Sequence, residues 1–199
     1  EDSIANIRFP ALSQTKLDGA RCNIIVKDGK VIVLSSSGRE ITTHDQFDWF
    51  AALVKDNTVF DGELLVTEST GKFMERKKGN GIVNRAIRGT IPIEQAKQLH
   101  FVAFDWIPYE NWITGKYDFP YNARFLTLAN FSRNFRHNAS IVETREVKSE
   151  AEMIAHFKQL LSQGEEGTIV KNLDSIWEGK RSKDQLKLKG IITCDLEVI

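Results

Sequence analysis

The order of strand-like and helix-like segments is the feature that most restricts the fold of this chain. Residues 22–26 and 31–34 are predicted strands on either side of Asp28-Gly29, a dipeptide typical of a tight β-hairpin. Strands and helices intermix without the regular alternation of a parallel sheet, so we expect an α+β fold of antiparallel sheets flanked by helices. Further strands are predicted at 58–66, 101–107, 167–171, 185–189 and 194–199, and helices at about 45–55, 74–87, 93–98, 123–135 and 149–163.

Length and composition indicate a globular protein of one substantial domain, or at most two small ones. The chain has 199 residues, of which 41% are hydrophobic and 27% charged. No apolar run is long enough to cross a bilayer and the N-terminus lacks the features of a signal peptide, so we expect a cytoplasmic protein without a membrane partner. Cys22 and Cys194 lie far apart in the sequence, which indicates buried small side chains rather than a disulfide.

The charge is balanced overall but unevenly distributed. Basic and acidic residues number 27 each, which argues against an independent nucleic-acid-binding protein with a strongly basic surface. Residues 72–88 nevertheless contain six basic side chains and one acidic one, and residues 180–189 contain five basic side chains and one acidic one. Each stretch is either an ordinary solvated surface or a face that holds a polyanion.

Several common catalytic and binding motifs are absent from the sequence. There is no P-loop, no G-x-G-x-x-G fingerprint, no C-x-x-C pair and no nucleophile elbow. The four histidines do not have the spacing of metal ligands. The chemistry is therefore expected to depend on lysines and carboxylates.

Residues 16–21 read Lys-Leu-Asp-Gly-Ala-Arg and match the K-x-D-G-x-R pattern of covalent nucleotidyltransferases. An amine that attacks phosphorus must be neutral, and burial or neighbouring cations both disfavour the charged form of a lysine. The planar fork of Arg21 is suited to holding a phosphate. The pattern predicts Lys16 as the nucleophile.

Four further segments match the same family in the expected order. They are Asp61-Gly62-Glu63-Leu64, the aromatic strand at 101–106, the Glu-Gly strand at 166–171, and Lys187-Leu188-Lys189. Residues two apart on a strand share a face, which places Asp61 with Glu63 and Lys187 with Lys189. With the segments at 8–14, 80–84, 88–91, 177–178 and 181–183, the chain resembles ATP-dependent DNA ligases, most closely those of T-even bacteriophages.

The resemblance implies a nucleotidyltransferase domain, ATP-grasp-like in fold, over residues 1–199. A helical DNA-binding domain before it and an OB-fold after it, which such ligases carry, are expected to be absent from this chain. Lys16 would become covalently adenylated. The expected ATP-binding residues are Gln14, Thr15, Arg21, Glu63, Phe104, Lys187 and Lys189; the expected Mg²⁺ ligands are Glu166, Glu63 and Asp18; and the expected DNA-binding residues are Arg39, Lys72, Lys77, Lys78, Arg85 and Arg88.

Three positions depart from the family pattern or allow a second interpretation. Ser36 occupies a position where the family has an arginine, and Arg39 is the candidate substitute. Glu166 is the match in the Glu165-Glu166 pair, with Glu165 expected on the opposite side of the strand. Phe104 is expected to stack on adenine, with simple core packing as the alternative.

The family reaction passes AMP from ATP to the lysine, then to the 5′-phosphate at a nick, and finally releases AMP as the strand is sealed. The resemblance thus implies nicked double-stranded DNA as substrate, a sliding clamp as a possible partner, a monomer, and the cytoplasm of the host cell for a phage protein. Without the OB-fold we expect slow adenylation and poor sealing.

Two other functions are compatible with the sequence. An RNA ligase or an mRNA-capping guanylyltransferase shares the nucleophilic lysine, and would differ in preferring RNA ends or GTP. A non-catalytic module that binds DNA or a clamp would retain its binding without Lys16.

Overall fold

The computed structural model describes residues 3–180 and 182–190. The strand predicted at 194–199, together with Cys194, lies outside the described residues, and so does Arg181 of the phage-like segment at 181–183.

The described residues form short strands and helices that intermix along the chain. The strands are β1 (Ala11–Thr15), β2 (Ala20–Lys27), β3 (Lys30–Ser35), β4 (Thr58–Val66), β5 (Leu99–Pro108), β6 (Lys116–Tyr117), β7 (Ala139–Ile141), β8 (Thr144–Val147), β9 (Gly167–Asn172), β10 (Trp177–Glu178) and β11 (Gln185–Lys189). The helices are α1 (Arg76–Ile87), α2 (Ile93–Ala96), α3 (Tyr109–Thr114), α4 (Tyr121–Ser132) and α5 (Glu150–Ser162), with 3₁₀ segments at Ile4–Asn6 and Asp48–Ala52.

The strands build two larger sheets and one small ribbon. One sheet has the strand order β11-β9-β1-β8, the second has the order β3-β2-β4-β5-β7, and β10 pairs with β6. All of these pairs are antiparallel except β5 with β7, which is parallel. The predicted α+β class with mainly antiparallel sheets is confirmed.

The chain divides into two compact units. The described part of the first unit comprises residues 3–17, 144–172 and 183–190, and the second comprises residues 18–143 and 173–180 with residue 182. The prediction of a single domain over residues 1–199 remains a prediction.

In the first unit, helix α5 covers one face of the four-stranded sheet. Met153 of α5 clusters with apolar side chains of all four strands and of the N-terminal segment, among them Ala11, Val170 and Leu186. Beside this cluster, the buried His156 hydrogen-bonds through Nδ1 to the Ser13 hydroxyl at 2.9 Å. Odd-numbered residues of β1 therefore face α5, and even-numbered ones project from the other face.

In the second unit, aromatic side chains fill the core beside the five-stranded sheet. The Phe50 ring meets the rings of Phe60 and Phe101 edge-on, at centroid distances of 5.0 and 5.9 Å. Trp49 stacks on Phe50 at 4.2 Å. Such pairs contribute roughly 0.5–1.5 kcal/mol each beyond the apolar area that they bury.

Local signals in the sequence account well for several elements. Asp28 and Gly29 have φ values of 50° and 74°, the left-handed conformation that a two-residue hairpin of this kind requires. The strand predicted at 58–66 coincides with β4. Ser149 caps α5, and its hydroxyl accepts the Glu152 N–H, as the spacing of these two residues predicts.

The helix predicted at 45–55 is wrong in extent and type. Only a 3₁₀ segment forms there, at Asp48–Ala52. His44 and Asp45 have φ values of 47° and 61°, which an α-helix excludes. The reason is tertiary, because Phe47, Trp49 and Phe50 are all buried in the aromatic core.

Across the described residues, none of the helices has the length and apolar character needed to traverse a lipid bilayer.

Candidate active site

Lys16 follows directly after β1 and continues its pairing. Its backbone N–H donates to the carbonyl of Gly167 at 2.9 Å. By the alternation of the strand, Lys16 lies on the same side as Gln14 and opposite to Ser13, which contacts α5. The amine therefore projects from the face of the sheet that α5 does not cover.

The Glu166 carboxylate lies between two lysine amines. Its Oε2 contacts the Lys16 Nζ, and its Oε1 is 3.5 Å from the Lys189 Nζ. The side chains of Lys16 and Glu166 are only 14% and 28% exposed, so this pairing is partly shielded from water. The structure thus brings together three residues that the sequence motifs predicted separately.

Gly167 makes this arrangement possible through a close backbone approach. It has a φ of 148°, and a Cβ at this position would stand 2.0 Å from the Leu188 carbonyl oxygen. Only glycine fits there. The glycine that follows Glu166 in the motif therefore has a steric cause, because the absence of a side chain lets β11 approach the backbone of β9 at this point.

Lys187 and Lys189 lie on one face of β11, as two-residue spacing requires. Lys187 pairs in register with Ile169, and Lys189 with Gly167. Both lysines are exposed. Lys189 contacts Glu166, whereas Lys187 has no ion pair within the described residues.

Gln14 and Thr15 lie on opposite faces of β1. Gln14 is 2% exposed, and its Nε2 donates to the Thr144 hydroxyl at 3.1 Å. Thr15 faces α5, and its hydroxyl is buried without a hydrogen-bond partner among the described residues, as is that of its register partner Thr168. The side chain of Thr15 lies on the opposite face from Lys16. A nucleotide bound beside Lys16 would therefore meet only the backbone of Thr15.

In the second unit, Arg21 is held by Asp61. The Arg21 Nε and Nη2 donate to the two Asp61 carboxylate oxygens at 3.1 and 2.6 Å. Attraction to Asp61 raises the pKa of Arg21 well above its usual range, and Glu63, its register partner on β4, acts in the same direction. Sequence reasoning did not assign a role to Asp61, although it stands two residues before Glu63 in the same motif.

Phe104 lies on β5 in the same unit, partly buried. The Arg21 guanidinium carbon is 6.0 Å from the centroid of its ring. The Tyr121 hydroxyl donates to the Phe104 carbonyl at 2.7 Å, so α4 holds the backbone that carries this ring.

A buried ion pair next to Phe104 was missed by sequence reasoning. The Arg124 Nε and Nη2 donate to the Asp105 carboxylate at 2.9 and 3.1 Å, and its Nη1 donates to the carbonyls of Ser175, at 3.0 Å, and Phe119. The pair joins α4 to β5 and to the segment that contains Ser175. No local pattern in the sequence distinguishes Arg124 from a surface arginine.

The three predicted metal ligands do not form a carboxylate cluster. Asp18 pairs with Arg76 at 2.9 Å and is exposed, while Glu166 pairs with two lysines. No group of three or more metal-ligating side chains occurs within the described residues. Mg²⁺ commonly needs only one or two carboxylates together with phosphate oxygens and water, so Glu166 alone fits such an ion when a nucleotide is present.

The residues predicted to bind DNA are all exposed. Arg39 follows a turn at Gly38, and its N–H donates to the Ser35 hydroxyl at 3.1 Å. The remaining predicted contacts lie just before α1, along it, or at its C-terminal end: Lys72, Lys77, Lys78, Arg85 and Arg88.

Cys22 is a free, fully buried cysteine, as the sequence predicted. Burial raises the pKa of its thiol, and the nearby carboxylates of Glu63 and Asp61 raise it further. This thiol is therefore not a candidate nucleophile.

A family model described as ATP dependent DNA ligase domain matches residues 1–189. The DNA ligase of Enterobacteria phage T4 is 29% identical over 232 residues, which cover 98% of this chain and 47% of that protein. DNA ligase 4 of Dictyostelium discoideum is 27% identical over 206 residues, covering 94% of this chain and 19% of that protein. The chain thus spans about half the length of its phage relative. The predicted family resemblance is confirmed.

Solved structures share the fold at low sequence identity. The ATP-dependent DNA ligase of bacteriophage T7, in complex with ATP, superposes with a TM-score of 0.74 at 20% identity, over 90% of this chain and 61% of that one. A Chlorella virus DNA ligase-adenylate superposes with a TM-score of 0.64 at 19% identity, over 95% of this chain and 66% of that one.

Proposed function

The chain belongs to the ATP-dependent DNA ligase domain family, and we propose that it is the part of a DNA ligase that reacts with ATP and holds AMP on Lys16. The observation that carries this proposal is the environment of the Lys16 amine. It projects from the face of the sheet opposite α5, contacts the Glu166 carboxylate, and shares that carboxylate with Lys189. A surface lysine without a catalytic role would not require such a shielded pairing.

The proposed step is an attack of the Lys16 Nζ on the α-phosphorus of ATP. The ammonium of Lys16 first gives up a proton to solvent. A phosphorus–nitrogen bond then forms as the bond to the leaving pyrophosphate breaks, and the nitrogen releases a second proton to solvent. Positioning and charge neutralisation are the main contributions of a protein to such a transfer. Lys189 and Lys187 lie on one face of β11 and would stabilise the charge on the α-phosphate.

Glu166 is the residue that would hold Mg²⁺. Its carboxylate stands beside the proposed nucleophile and has two oxygens that now contact different amines. When bound, the ion would neutralise charge on phosphate oxygens. Glu166 would also hold the Lys16 amine in place through their ion pair.

Roles in binding the nucleotide are also proposed for the other residues predicted to contact ATP. Asp61 occupies the Nε and Nη2 of Arg21, which leaves Nη1 without a hydrogen bond among the described residues and available to a phosphate. Glu63 is proposed to bind the ribose hydroxyls, Gln14 to lie beside the adenine edge, and the Phe104 ring to stack on the base.

We further propose that the AMP passes to the 5′-phosphate of nicked double-stranded DNA. Support comes from the family and from the relatives named DNA ligase. The exposed cations predicted to bind DNA would contact its phosphates, as basic residues generally do. A monomeric state, a clamp partner and action in the cytoplasm of a host cell remain predictions.

The test is covalent labelling with α-³²P-ATP or α-³²P-GTP and Mg²⁺ after the protein has been stripped with pyrophosphate. Acid-labile label from ATP that is lost in both Lys16→Ala and Lys16→Arg, but retained in Lys158→Ala on α5, would support the proposal. Label from GTP would favour a capping enzyme. Retention of label in both Lys16 variants would refute the assignment of the nucleophile.

The nucleic-acid substrate is tested separately with purified adenylated protein. Transfer of label to the 5′-phosphate of a nicked DNA duplex, and not to RNA ends, is expected. Preferential transfer to RNA would favour an RNA ligase. If the protein binds DNA but no form of it, including one with additional domains, takes up covalent label from ATP or GTP, a non-catalytic binding module would be favoured.

A further inference from the structure

One stripe along helix α1 combines exposure, positive charge and a missing side chain. Lys77, Gly81, Asn84 and Arg88 follow at intervals of four, three and four residues, which places them on one face of the helix. All four are exposed, and Arg88 is the C-cap. We call these four residues the α1 stripe.

The two cations of the α1 stripe are free, unlike the other basic side chains of the helix. Neither Lys77 nor Arg88 has a side-chain hydrogen bond or ion pair within the described residues. The others each have a polar partner: Arg76 pairs with Asp18 at 2.9 Å, Lys78 with Glu75 at 3.6 Å, and Arg85 donates to Gln95 at 2.8 Å. The positive charge of the stripe is therefore available to a ligand.

Gly81 has no structural explanation within the second unit. A Cβ at this position would meet only the Arg85 Nη2, at 3.8 Å, so any helix-forming side chain would fit. Gly79 differs, because its Cβ would approach the Val66 Cγ2 at 3.3 Å, where α1 packs on β4. A glycine inside an exposed helix lowers stability relative to alanine, and Gly81 offers no packing in return.

The other two long helices show that glycine is not a general feature of this chain. Neither α4 nor α5 contains a glycine, although both have exposed faces. Gly81 is thus an open position on the helix, with Lys77 one turn before it and Asn84 and Arg88 after it. Such a position allows another molecule to approach the helix backbone closely.

We propose that the sugar-phosphate backbone of duplex DNA lies across the α1 stripe, with the strand closest to the helix at Gly81. Lys77 and Arg88 would neutralise phosphates on either side, and the Asn84 amide would donate to a phosphate oxygen. The stripe is about 16 Å long, and phosphates of one strand advance about 3.4 Å per base pair, so it can reach several of them. This inference rests on the proposed function, and specifies which part of the basic stretch at 72–88 contacts DNA.

The first test separates helix stability from DNA binding at Gly81. Gly81→Ala should raise the melting temperature by about 2–4 °C, since alanine is the better helix former. Gly81→Leu should remain folded but bind a labelled nicked duplex at least tenfold more weakly in fluorescence anisotropy at low salt. Asn130→Leu, at an exposed position of α4, is the matched control and should bind like the wild type.

The second test removes the charges of the stripe one at a time. Lys77→Ala and Arg88→Ala should each reduce the slope of log affinity against log salt concentration by about 0.9. Lys158→Ala removes an exposed positive charge from α5 and should leave the slope unchanged. Wild-type binding by Gly81→Leu, or an unchanged slope in both Lys77→Ala and Arg88→Ala, would overturn the proposal.

Labelling of Lys16 by ATP distinguishes a failure of this inference from a failure of the proposed function. It needs no DNA, and in the wild type it reports on the proposed function alone. If the wild type is labelled and binds the duplex but the stripe variants bind equally well, only the stripe is refuted. If the wild type does not bind the duplex at low salt, the stripe is refuted whatever the labelling shows.

Discussion

Two ion pairs, one in each unit, differ in how completely their charges are satisfied. In the second unit, Arg124 and Asp105 are 2% and 7% exposed, and the arginine also donates to two carbonyls. In the first unit, Lys16 and Glu166 are 14% and 28% exposed, and Glu166 is shared with Lys189.

The difference indicates what each pair can do. A buried pair with a full set of hydrogen bonds has nothing to offer a ligand, and acts by holding backbone segments together. A partly exposed pair with a shared carboxylate can exchange partners when a phosphate or a metal ion arrives. Both pairs combine opposite charges. The structural pair differs from the candidate catalytic pair in how completely its charged groups are hydrogen-bonded.

The largest expected effect on stability is that of breaking the buried pair. Arg124→Met should lower the free energy of unfolding by about 3–5 kcal/mol, because it leaves the Asp105 carboxylate buried without its counter-ion. Thermal or urea unfolding measures this loss. Arg133→Met, at the exposed C-terminal end of α4, is the control and should change stability by less than about 0.5 kcal/mol. A similar loss in both variants would show that the pair has no special structural role.

Breaking the pair of Lys16 and Glu166 is expected to affect stability less, but to slow the adenylation of Lys16. Glu166→Gln should slow adenylation about 100-fold, because it removes the proposed metal ligand, yet cost only about 1 kcal/mol of stability. Single-turnover labelling and thermal unfolding of the same preparation measure the two quantities. A stability loss as large as that of Arg124→Met would show that the pair of Lys16 and Glu166 has a structural role like that of the buried pair.

The smallest expected effect on stability is the pH dependence that arises from His100. This side chain is partly buried, and its Nε2 hydrogen-bonds with the Ser140 hydroxyl at 3.0 Å. Burial lowers the pKa of His100 below its ordinary value of 6.5, and His137 lowers it further. Below pH 6.5 the unfolded chain therefore binds more protons than the folded one, so stability falls as the pH falls toward the lower, folded pKa.

His100→Gln should remove this part of the pH dependence. Melting temperatures of the wild type and the variant, measured between pH 7.5 and 5, should diverge as the pH falls, with the wild type losing more. Parallel curves would mean that His100 titrates alike in the folded and unfolded states.

Much of the candidate site could be predicted from the sequence because its motifs are local. Glu166 before a glycine and two lysines two apart on the strand predicted at 185–189 follow from motif spacing and strand alternation. Lys16 follows from the residue types of its motif alone, since no strand was predicted before it. The hairpin at Asp28-Gly29 and the cap at Ser149 follow from turn and capping preferences.

The partners of these residues could not be predicted in the same way. Asp61 holds Arg21 from a position 40 residues away, and Asp105 and Arg124 are separated by 19. Strand β1 and the shorter strands β6, β7, β8 and β10 were not predicted, because two to five residues carry little periodicity. Packing in the aromatic core likewise explains why a 3₁₀ segment forms at Asp48–Ala52, where an α-helix was predicted.

By itself the sequence determined the family and the residue types that carry the chemistry, since an amine, a carboxylate and a tight turn are properties of short segments. Tertiary structure alone decided which charges meet and how deeply each is buried. Lys16 and Glu166 are 150 residues apart in the sequence, and they become partners only because β1 and β9 pair in one register. Burial and long-range pairing depend on the whole sheet, so a short segment of sequence does not contain them.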